Sequence, residues 1–472
     1  MLKEWLISIK SINFNKILVI YFCSLIGLVV FWRYFINFIF LWVLINIAYL
    51  LLVMNLKDSW LCQKINKVGT LKLIFLLFVI AILLRLVFLS QKPVLSSDLE
   101  YRYVLRSQLM LNGKFPYRDF DVNKPPLYAY LLYFMGLCFG AGQLQFRIFF
   151  SLIDSLIPSI IYLIGSYIWN KKSGIVAAFA YVFCPITFFE VGLSGHYDPV
   201  PILFVTISFF LLLKEKSTLS GLFLGLGFAF KIYPIVLIPF YLIWFKSRKK
   251  QRNFISAFPI PMILSIIPIL IVYPHGLIEY LTYQAVEWQT WGPISGPLVQ
   301  FFGPSILNLK ISIIVLFVFL FLIILMFYMT AVKKKSYKFW VKLLILTIVF
   351  MDVLFILEIF KNSLNATIIG LVIIISIVIL SFVYFPLSKY LDPYLSTSIT
   401  PKDNVLIQSV FAITLLIFGS AQAHPWYWLW ILPFVVLIKT KDLKWFFLIL
   451  LMIMYPGGYL TQPRWISGWM YP

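Results

Sequence analysis

The sequence is poor in charged residues, histidine and cysteine. Only 12% of its 472 residues are charged, and it contains three histidines and four cysteines. The cysteines lie far apart in mostly apolar surroundings, so neither a disulfide framework nor a thiolate metal site is predicted. The sequence also lacks the glycine-rich loop that holds a nucleotide phosphate, which argues against a nucleotide-dependent enzyme.

Hydrophobic residues, by contrast, make up 62% of the chain, and the mean hydropathy is +0.97. Apolar runs of about 20 residues predict membrane-spanning helices. These runs are continuous rather than alternating, which excludes a membrane barrel. The predicted fold class is therefore all-α: a polytopic transmembrane helical bundle of about 13–15 spans, with a long first outer loop that carries short interfacial helices.

The formal net charge of +22 does not require nucleic acid, and no nucleic-acid partner is predicted. Lysine and arginine accumulate in the cytoplasmic loops of integral membrane proteins. Assigning the basic connectors to the cytoplasm gives a consistent alternation of spans, provided that residues 127–140 do not cross. This segment of about 14 apolar residues is short for a span and suits a re-entrant or interfacial helix. No cleavage site follows the first lysines, so the N-terminus is expected to be uncleaved and cytoplasmic.

This topology places the chemically interesting segments on one side of the membrane. The loops 91–145, 192–198, 274–305 and 420–425 and the turn near Lys231 then all face outward. The sequence thus predicts a multi-pass membrane protein whose site faces the outside. A prokaryotic cell membrane is the prior expectation and does not follow from the topology. Loop 274–305 either lies on the membrane as an amphipathic helix or covers an acceptor.

The stretch between residues 96 and 126 is far more polar than the rest of the chain. A simple connector needs no such charge, whereas a site that handles a phosphorylated sugar at the membrane surface would use all of it. Its four carboxylates are Asp98, Glu100, Asp119 and Asp121, and its six cations, counting one just before it, are Lys92, Arg102, Arg106, Lys114, Arg118 and Lys124.

Three positions in this loop have both a chemical and a structural interpretation. Asp98 either deprotonates an attacking sugar hydroxyl or caps a helix. Asp119 and Asp121 either bind a divalent cation that bridges to phosphate or shape the turn before Pro125. Lys124 either holds a phosphate or extends its ammonium to the membrane interface.

Four polar residues in later segments extend the candidate site. His196 and Asp198, in SGHYDP, form either a second wall of the site or a plain hairpin turn. Lys231 lies between two short spans, where an ionisable group suggests function and phosphate is its natural partner; the alternative is an interfacial lysine with a buried stem. His424 precedes an aromatic run that is typical of an interfacial belt, although a belt does not explain the histidine.

Three carboxylates fall inside predicted spans and are not assigned to the site. Asp154, Asp352 and Glu358 are each expected to hydrogen-bond a neighbouring helix.

At these motifs the chain resembles the GT-C superfamily of membrane glycosyltransferases, which use polyprenyl-phosphate-linked sugars. The family has a long first outer loop with an acidic motif just after its entry helix, and Asp98 matches that position. The stretch GKFPYRDFDVNKPPLYAYLL resembles the end of the same loop. SGHYDP is similar to a second acidic loop. GLGFAFKIYPIVLIP and HPWYWLWILP are similar to segments of the mannosyltransferase that adds the first mannose of glycosylphosphatidylinositol (GPI). One departure is that a compact Asp-x-Asp is replaced by Asp98-Leu99-Glu100, which leaves open which carboxylate is the base.

The resemblance implies three regions: an N-terminal hairpin at 1–69, a GT-C-like catalytic module at 70–305, and C-terminal helices at 306–472. It implies inverting transfer of a hexose, most simply mannose, from a polyprenyl-phosphate donor to a lipid, glycan or protein acceptor. Asp98 would be the base, and the implied phosphate ligands are Arg102, Lys124, Lys231 and His424. The remaining substrate-binding candidates are Glu100, Asp119, Asp121, His196 and Asp198. No cofactor is expected, apart from a divalent cation at Asp119 and Asp121 if the pair binds one.

A transporter or flippase of lipid-linked sugar is the alternative function. Transporters often contain internal repeats with broken helices in matching halves, and no such repeat is found here. The concentration of charge in one outer loop also favours an enzyme. A polysaccharide polymerase is a further rival, but loop 274–305 contains no arginine, which such enzymes usually have there.

Overall fold

The structure is a computed structural model, and it describes residues 13–31, 35–89, 91, 98–276, 322, 401–419, 424–439, 444–445 and 447–452. Within these ranges the regular structure is helical, and strand-like pairing is limited to an isolated bridge between Pro116 and Phe120. The predicted all-α class is therefore confirmed.

The N-terminal part forms a helical hairpin and two further helices, with Ser59 capping the third helix by accepting a hydrogen bond from the Cys62 amide at 3.2 Å. The bounds are α1 (Phe14–Phe31), α2 (Phe35–Leu56), α3 (Trp60–Asn66) and α4 (Thr70–Leu86).

The first outer loop contains the short helices that the sequence predicts. A π-helical turn at Asp98–Val104 leads into α5 (Leu105–Leu111), and α6 (Pro126–Phe139) follows the loop. Proline at the first position of α6 suits a helix start, because that position needs no backbone donor. At 14 residues, α6 is about 21 Å long, shorter than the hydrocarbon core of about 30 Å, which fits the prediction that it does not cross.

The central helices pack around α7 (Gln143–Ile168), which contacts α4, α8 and α9. A β-carbon added to Gly165 would lie 2.7 Å from the Cα of Gly174, so glycine here permits close approach of α7 and α8. Small residues play this role at membrane helix interfaces. The neighbouring elements are α8 (Lys171–Val182), the short turn Pro185–Thr187 with the π-helical segment Phe188–Leu193, α9 (Pro199–Leu213) and α10 (Ser217–Phe230).

The remaining described helices complete the bundle. They are the 3-10 turn Tyr233–Leu237 with α11 (Ile238–Trp244), α12 (Arg248–Ala257), α13 (Ile260–Val272), α14 (Pro401–Gly419), the 3-10 turn Pro425–Trp430 and α15 (Leu432–Leu437).

Three helical stretches in the described residues are long and apolar enough to cross a membrane. They are Gln143–Ile168, Arg248–Val272 and Pro401–Gly419, and the number rises to five if two bent helix pairs each form one span. The chain is thus an integral membrane protein. Apart from Leu322, residues 277–400 lie outside the described residues, so the total of 13–15 spans and the division into three regions stay predictions.

Asp154 forms a buried network between helices. Its carboxylate lies 2.5 Å from the Arg85 guanidinium on α4 and accepts a hydrogen bond from the Tyr181 hydroxyl on α8 at 2.7 Å. An intramembrane carboxylate is usually paired in this way. The structure therefore agrees with the interpretation of Asp154 as a contact between helices. Asp352 and Glu358 lie outside the described residues.

Candidate active site

Four segments that are distant in sequence meet in one polar cluster. They are the π-helical turn at Asp98, the loop that carries His196 and Asp198, the turn at Lys231, and the segment that begins at His424. Asp98 lies within electrostatic range of His196, His424 and Lys231. The sequence-based topology required Asp98 and Lys231 to share one side of the membrane, and their proximity meets that requirement.

Asp98 is partly accessible and held by a neighbouring cation. Its carboxylate lies 3.1 Å from Nε of Arg102, and 14% of its side chain is exposed. Burial acts to raise its pKa, but nearby positive charge, above all that of Arg102, acts to lower it, and the pKa lies below its usual value. Asp98 is consequently ionised at neutral pH, as a general base must be.

Lys124 is a cation of the cluster with a strongly lowered pKa. Its backbone carbonyl accepts a hydrogen bond from the Tyr117 hydroxyl at 2.6 Å, which fixes the chain just before α6. Burial, with help from the charges of Lys231 and Arg102, lowers the pKa of Lys124 to about 7. Among the residues that the structure describes, Arg102 and Lys231 have carboxylate partners, whereas no ion pair involves Lys124.

Asp198 connects three segments of the cluster. It occupies the N-cap position of α9, but its side chain makes no capping hydrogen bond. Its Oδ1 instead lies 2.6 Å from Nζ of Lys231 and accepts a hydrogen bond from Nε1 of Trp430 at 2.5 Å. The Lys231 ammonium also lies 5.2, 4.5 and 4.7 Å from the ring centroids of Tyr197, Tyr427 and Trp430. Ion pairing and cation–π contact therefore hold Lys231 in place.

Both predicted histidines stack on the same tryptophan. The Trp426 ring centroid lies 3.9 Å from that of His196 and 4.3 Å from that of His424. Burial lowers the pKa of His196 to about 4 and that of His424 to about 3. Both imidazoles are therefore neutral near pH 7, and they would act on a ligand through hydrogen bonds rather than through charge.

Glu190 belongs to this cluster although the sequence analysis did not select it. Its side chain is fully buried in the π-helical segment, and its carboxylate lies 3.3 Å from Nε2 of His196. The His196 amide also donates to the Glu190 carbonyl at 2.9 Å. The signal in the sequence was a single carboxylate inside the apolar run 188–193, which marks a functional candidate.

Two candidates from the first outer loop, Glu100 and Asp119, have separate surroundings. Glu100 is exposed and accepts a hydrogen bond from the side chain of Gln143. Asp119 pairs with Arg118 at 2.9 Å. This bond, together with a hydrogen bond from the Phe115 amide, lowers the pKa of Asp119 to about 2. The structure does not bring either carboxylate to the cluster.

The Asp119 and Asp121 pair gains no third histidine, cysteine, aspartate or glutamate ligand in the described part of the chain. Asp121 is exposed. Across the described ranges, no group of three or more histidine, cysteine, aspartate or glutamate side chains is placed to hold a metal ion. Binding of a cation at this pair stays a prediction.

Comparison with known proteins finds mannosyltransferases. Residues 123–278 match the family described as dolichyl-phosphate-mannose-protein mannosyltransferase, a region that includes Lys124, His196, Asp198 and Lys231. GPI mannosyltransferase 1 of Dictyostelium discoideum is 31% identical over 176 residues, covering 35% of this chain and 39% of that protein. GPI mannosyltransferase 1 of Debaryomyces hansenii is 29% identical over 136 residues, covering 27% of this chain and 32% of that protein. No solved structure gives a significant match.

The matched region spans only about two fifths and one third of the length of these two relatives. Both relatives are eukaryotic, so location in a prokaryotic membrane stays a prediction. The family description and both relatives' names agree on the class of enzyme. The matches confirm the resemblance of this chain to the GT-C superfamily of membrane glycosyltransferases and, within it, to the branch that adds the first mannose of GPI.

Proposed function

We propose that this protein is a membrane mannosyltransferase that moves mannose from a polyprenyl-phosphate donor to an acceptor hydroxyl on the outer face of the membrane. The observation that carries the proposal is an ionised, partly accessible carboxylate, Asp98, beside the cations Arg102, Lys124 and Lys231. The family match and the names of both relatives support mannose as the sugar.

The reaction is a single displacement at the anomeric carbon. The acceptor oxygen attacks this carbon while its proton passes to the Asp98 carboxylate. The bond between the anomeric carbon and the phosphate oxygen breaks, and its electron pair leaves with polyprenyl phosphate. Attack opposite the leaving group inverts the anomeric configuration.

The leaving phosphate gains one negative charge as the bond breaks, from a diester to a monoester. Cations beside it therefore bind the transition state more strongly than the donor, which is the requirement for catalysis. Lys124 is suited to this role because it has no carboxylate partner among the described residues. Lys231 is neutralised by Asp198, so it contributes a positioned hydrogen-bond donor more than net charge.

The remaining groups of the cluster bind and orient substrate in this proposal. His424 and His196 offer neutral imidazole edges to the phosphate or the sugar hydroxyls, with their rings fixed by Trp426. The polyprenyl tail lies among lipid-facing helices, which explains why the site belongs in a membrane. The acceptor is a glycan, a lipid or a protein.

The test is sugar transfer by the purified protein in lipid nanodiscs, with radiolabelled polyprenyl-phosphate mannose and native lipid extracts as acceptors. Asp98→Asn is expected to lose about 10²–10⁴-fold in rate, the usual contribution of a general base. A matched carboxylate control is Asp58→Asn, which removes only an exposed pair with Lys172. Asp121→Asn and EDTA are run in parallel.

Three results would overturn parts of the proposal. Full activity of Asp98→Asn would remove Asp98 as the base. Loss of transfer with Asp121→Asn or EDTA would move the chemistry to the Asp119 and Asp121 pair and a cation. Absence of transfer from every polyprenyl-phosphate sugar, by folded protein, would favour the transporter or flippase alternative.

A further inference from the structure

Arg147, on α7, is a buried arginine whose hydrogen bonds all reach backbone carbonyls. Only 3% of the residue is exposed. Its guanidinium makes five hydrogen bonds, to the carbonyls of Phe88 (2.5 Å), Leu89 (3.3 Å), Gln91 (2.9 Å) and Gly192 (3.0 and 2.9 Å). These contacts use the whole donor fork of an arginine side chain.

The four carbonyls belong to two segments that both lead into the candidate site. Phe88, Leu89 and Gln91 follow the end of α4, where helix carbonyls lack intrahelical partners and a cation is favourable. The chain then continues to Asp98. Gly192 lies in the π-helical segment, between Glu190 and His196. One guanidinium therefore joins the start of the outer loop to the segment that carries the second wall of the site.

The backbone near Gly192 and Gly195 is shaped around this side chain. Gly195 has φ of +69°, and a β-carbon there would lie 2.8 Å from Cγ of Arg147. A β-carbon on Gly192 would lie 2.6 Å from the Arg85 carbonyl. The two glycines allow this segment to approach α4 and the stem of Arg147 closely.

We propose that Arg147 is a positioning residue for glycosyl transfer, setting the separation between Asp98 and the His196 and Asp198 loop without touching substrate. This inference rests on the proposed function. Misplacement of reacting groups by about 1 Å costs about 10²-fold in rate. The planar fork is essential to the role, because lysine has three donors on a flexible stem and cannot serve four fixed carbonyls.

The experiment compares Arg147→Lys with wild type by hydrogen–deuterium exchange and by transfer kinetics in nanodiscs. Exchange is expected to rise about tenfold or more at both 98–104 and 189–196. The kcat is expected to fall by up to about 10²-fold with a smaller change in the donor KM. Arg85→Lys is the matched control, because it also alters a buried arginine, one whose ion pair is with Asp154 and which donates no hydrogen bond to the four carbonyls that Arg147 binds. This control is expected to lower folded yield while leaving the kcat of folded protein unchanged.

The outcomes separate the two proposals. Unchanged exchange in Arg147→Lys would show that Arg147 does not hold the two segments together, and raised exchange with unchanged kcat would overturn its role in catalysis. If wild type transfers no sugar, the proposed function and the catalytic role of Arg147 both fail. The exchange data would still decide whether Arg147 holds the two segments together. If Arg147→Lys does not fold, Gly195→Ala strains the same contact from the loop side and is expected to give the same kinetic pattern; a wild-type kcat would overturn the role.

Discussion

The ion pair between Asp198 and Lys231 is predicted to be a strongly coupled structural element. The Asp198 side chain is fully buried and that of Lys231 is 7% exposed, with Nζ and Oδ1 2.6 Å apart. Removing one partner of a buried pair leaves an uncompensated charge and costs about 3–5 kcal/mol. We therefore expect Asp198→Asn and Lys231→Met each to lower the free energy of unfolding by about this amount.

The double variant Asp198→Asn, Lys231→Met removes both charges together. Since no unpaired charge remains, its loss of unfolding free energy is expected to be well below the sum of the two single losses, with a coupling of about 1–3 kcal/mol. Trp430→Phe is the control, because it keeps both charges and an aromatic ring beside Lys231 while removing the hydrogen bond to the carboxylate, and it is expected to cost about 1.5–3 kcal/mol.

The assay is unfolding of the purified variants by SDS titration in mixed micelles, followed by tryptophan fluorescence and far-ultraviolet circular dichroism. Additive losses in the double variant, or single variants as stable as wild type, would refute the reasoning. They would show that Lys231 finds other compensation, and Lys231 would then be free to act as a charged phosphate ligand.

Three further predictions follow from other parts of the structure. The kcat/KM for transfer should fall as pH rises through about 7, because the pKa of Lys124 is about 7 and only its charged form stabilises the leaving phosphate. Lys124→Arg should remove this alkaline loss, and a wild-type profile that is flat to pH 9 would contradict the role of Lys124. Asp119→Asn should leave transfer unchanged with or without EDTA, because the structure places this carboxylate with Arg118 and outside the cluster; a rate loss would return it to the site. Gly221→Val should lower the free energy of unfolding by about 1–3 kcal/mol, because a β-carbon there would lie 2.3 Å from the Phe254 carbonyl. Gly69→Ala is the control, because a β-carbon there meets nothing within 4 Å. Equal stability of the two variants would argue against tight packing of α10 on α12.

Much of the cluster was predictable because polar residues in an apolar chain are costly and stand out. Lys231 and His424 were selected on that ground, and the structure places both beside Asp198 or Trp426. Helix position also followed from hydropathy, as the apolar segment predicted at 127–140 and α6 (Pro126–Phe139) show. These features depend on composition along the chain, which a sequence displays directly.

Pairing between distant segments was not predictable in the same way. Glu190 and Arg147 were overlooked, although each is a single charge in an apolar run, because their partners lie on other helices or on backbone carbonyls. Partner choice depends on three-dimensional packing, and one sequence without relatives gives no measure of it.

The bond between Asp198 and Trp430 has a consequence for the biogenesis of the protein. The two residues are 232 positions apart. At a synthesis rate of about 5–20 residues per second, Asp198 emerges about 10–50 s before its indole partner exists. The polar cluster is thus completed only when the segment that carries Trp430 arrives, so a nascent or truncated chain would insert into the membrane with Asp198 still lacking its indole partner.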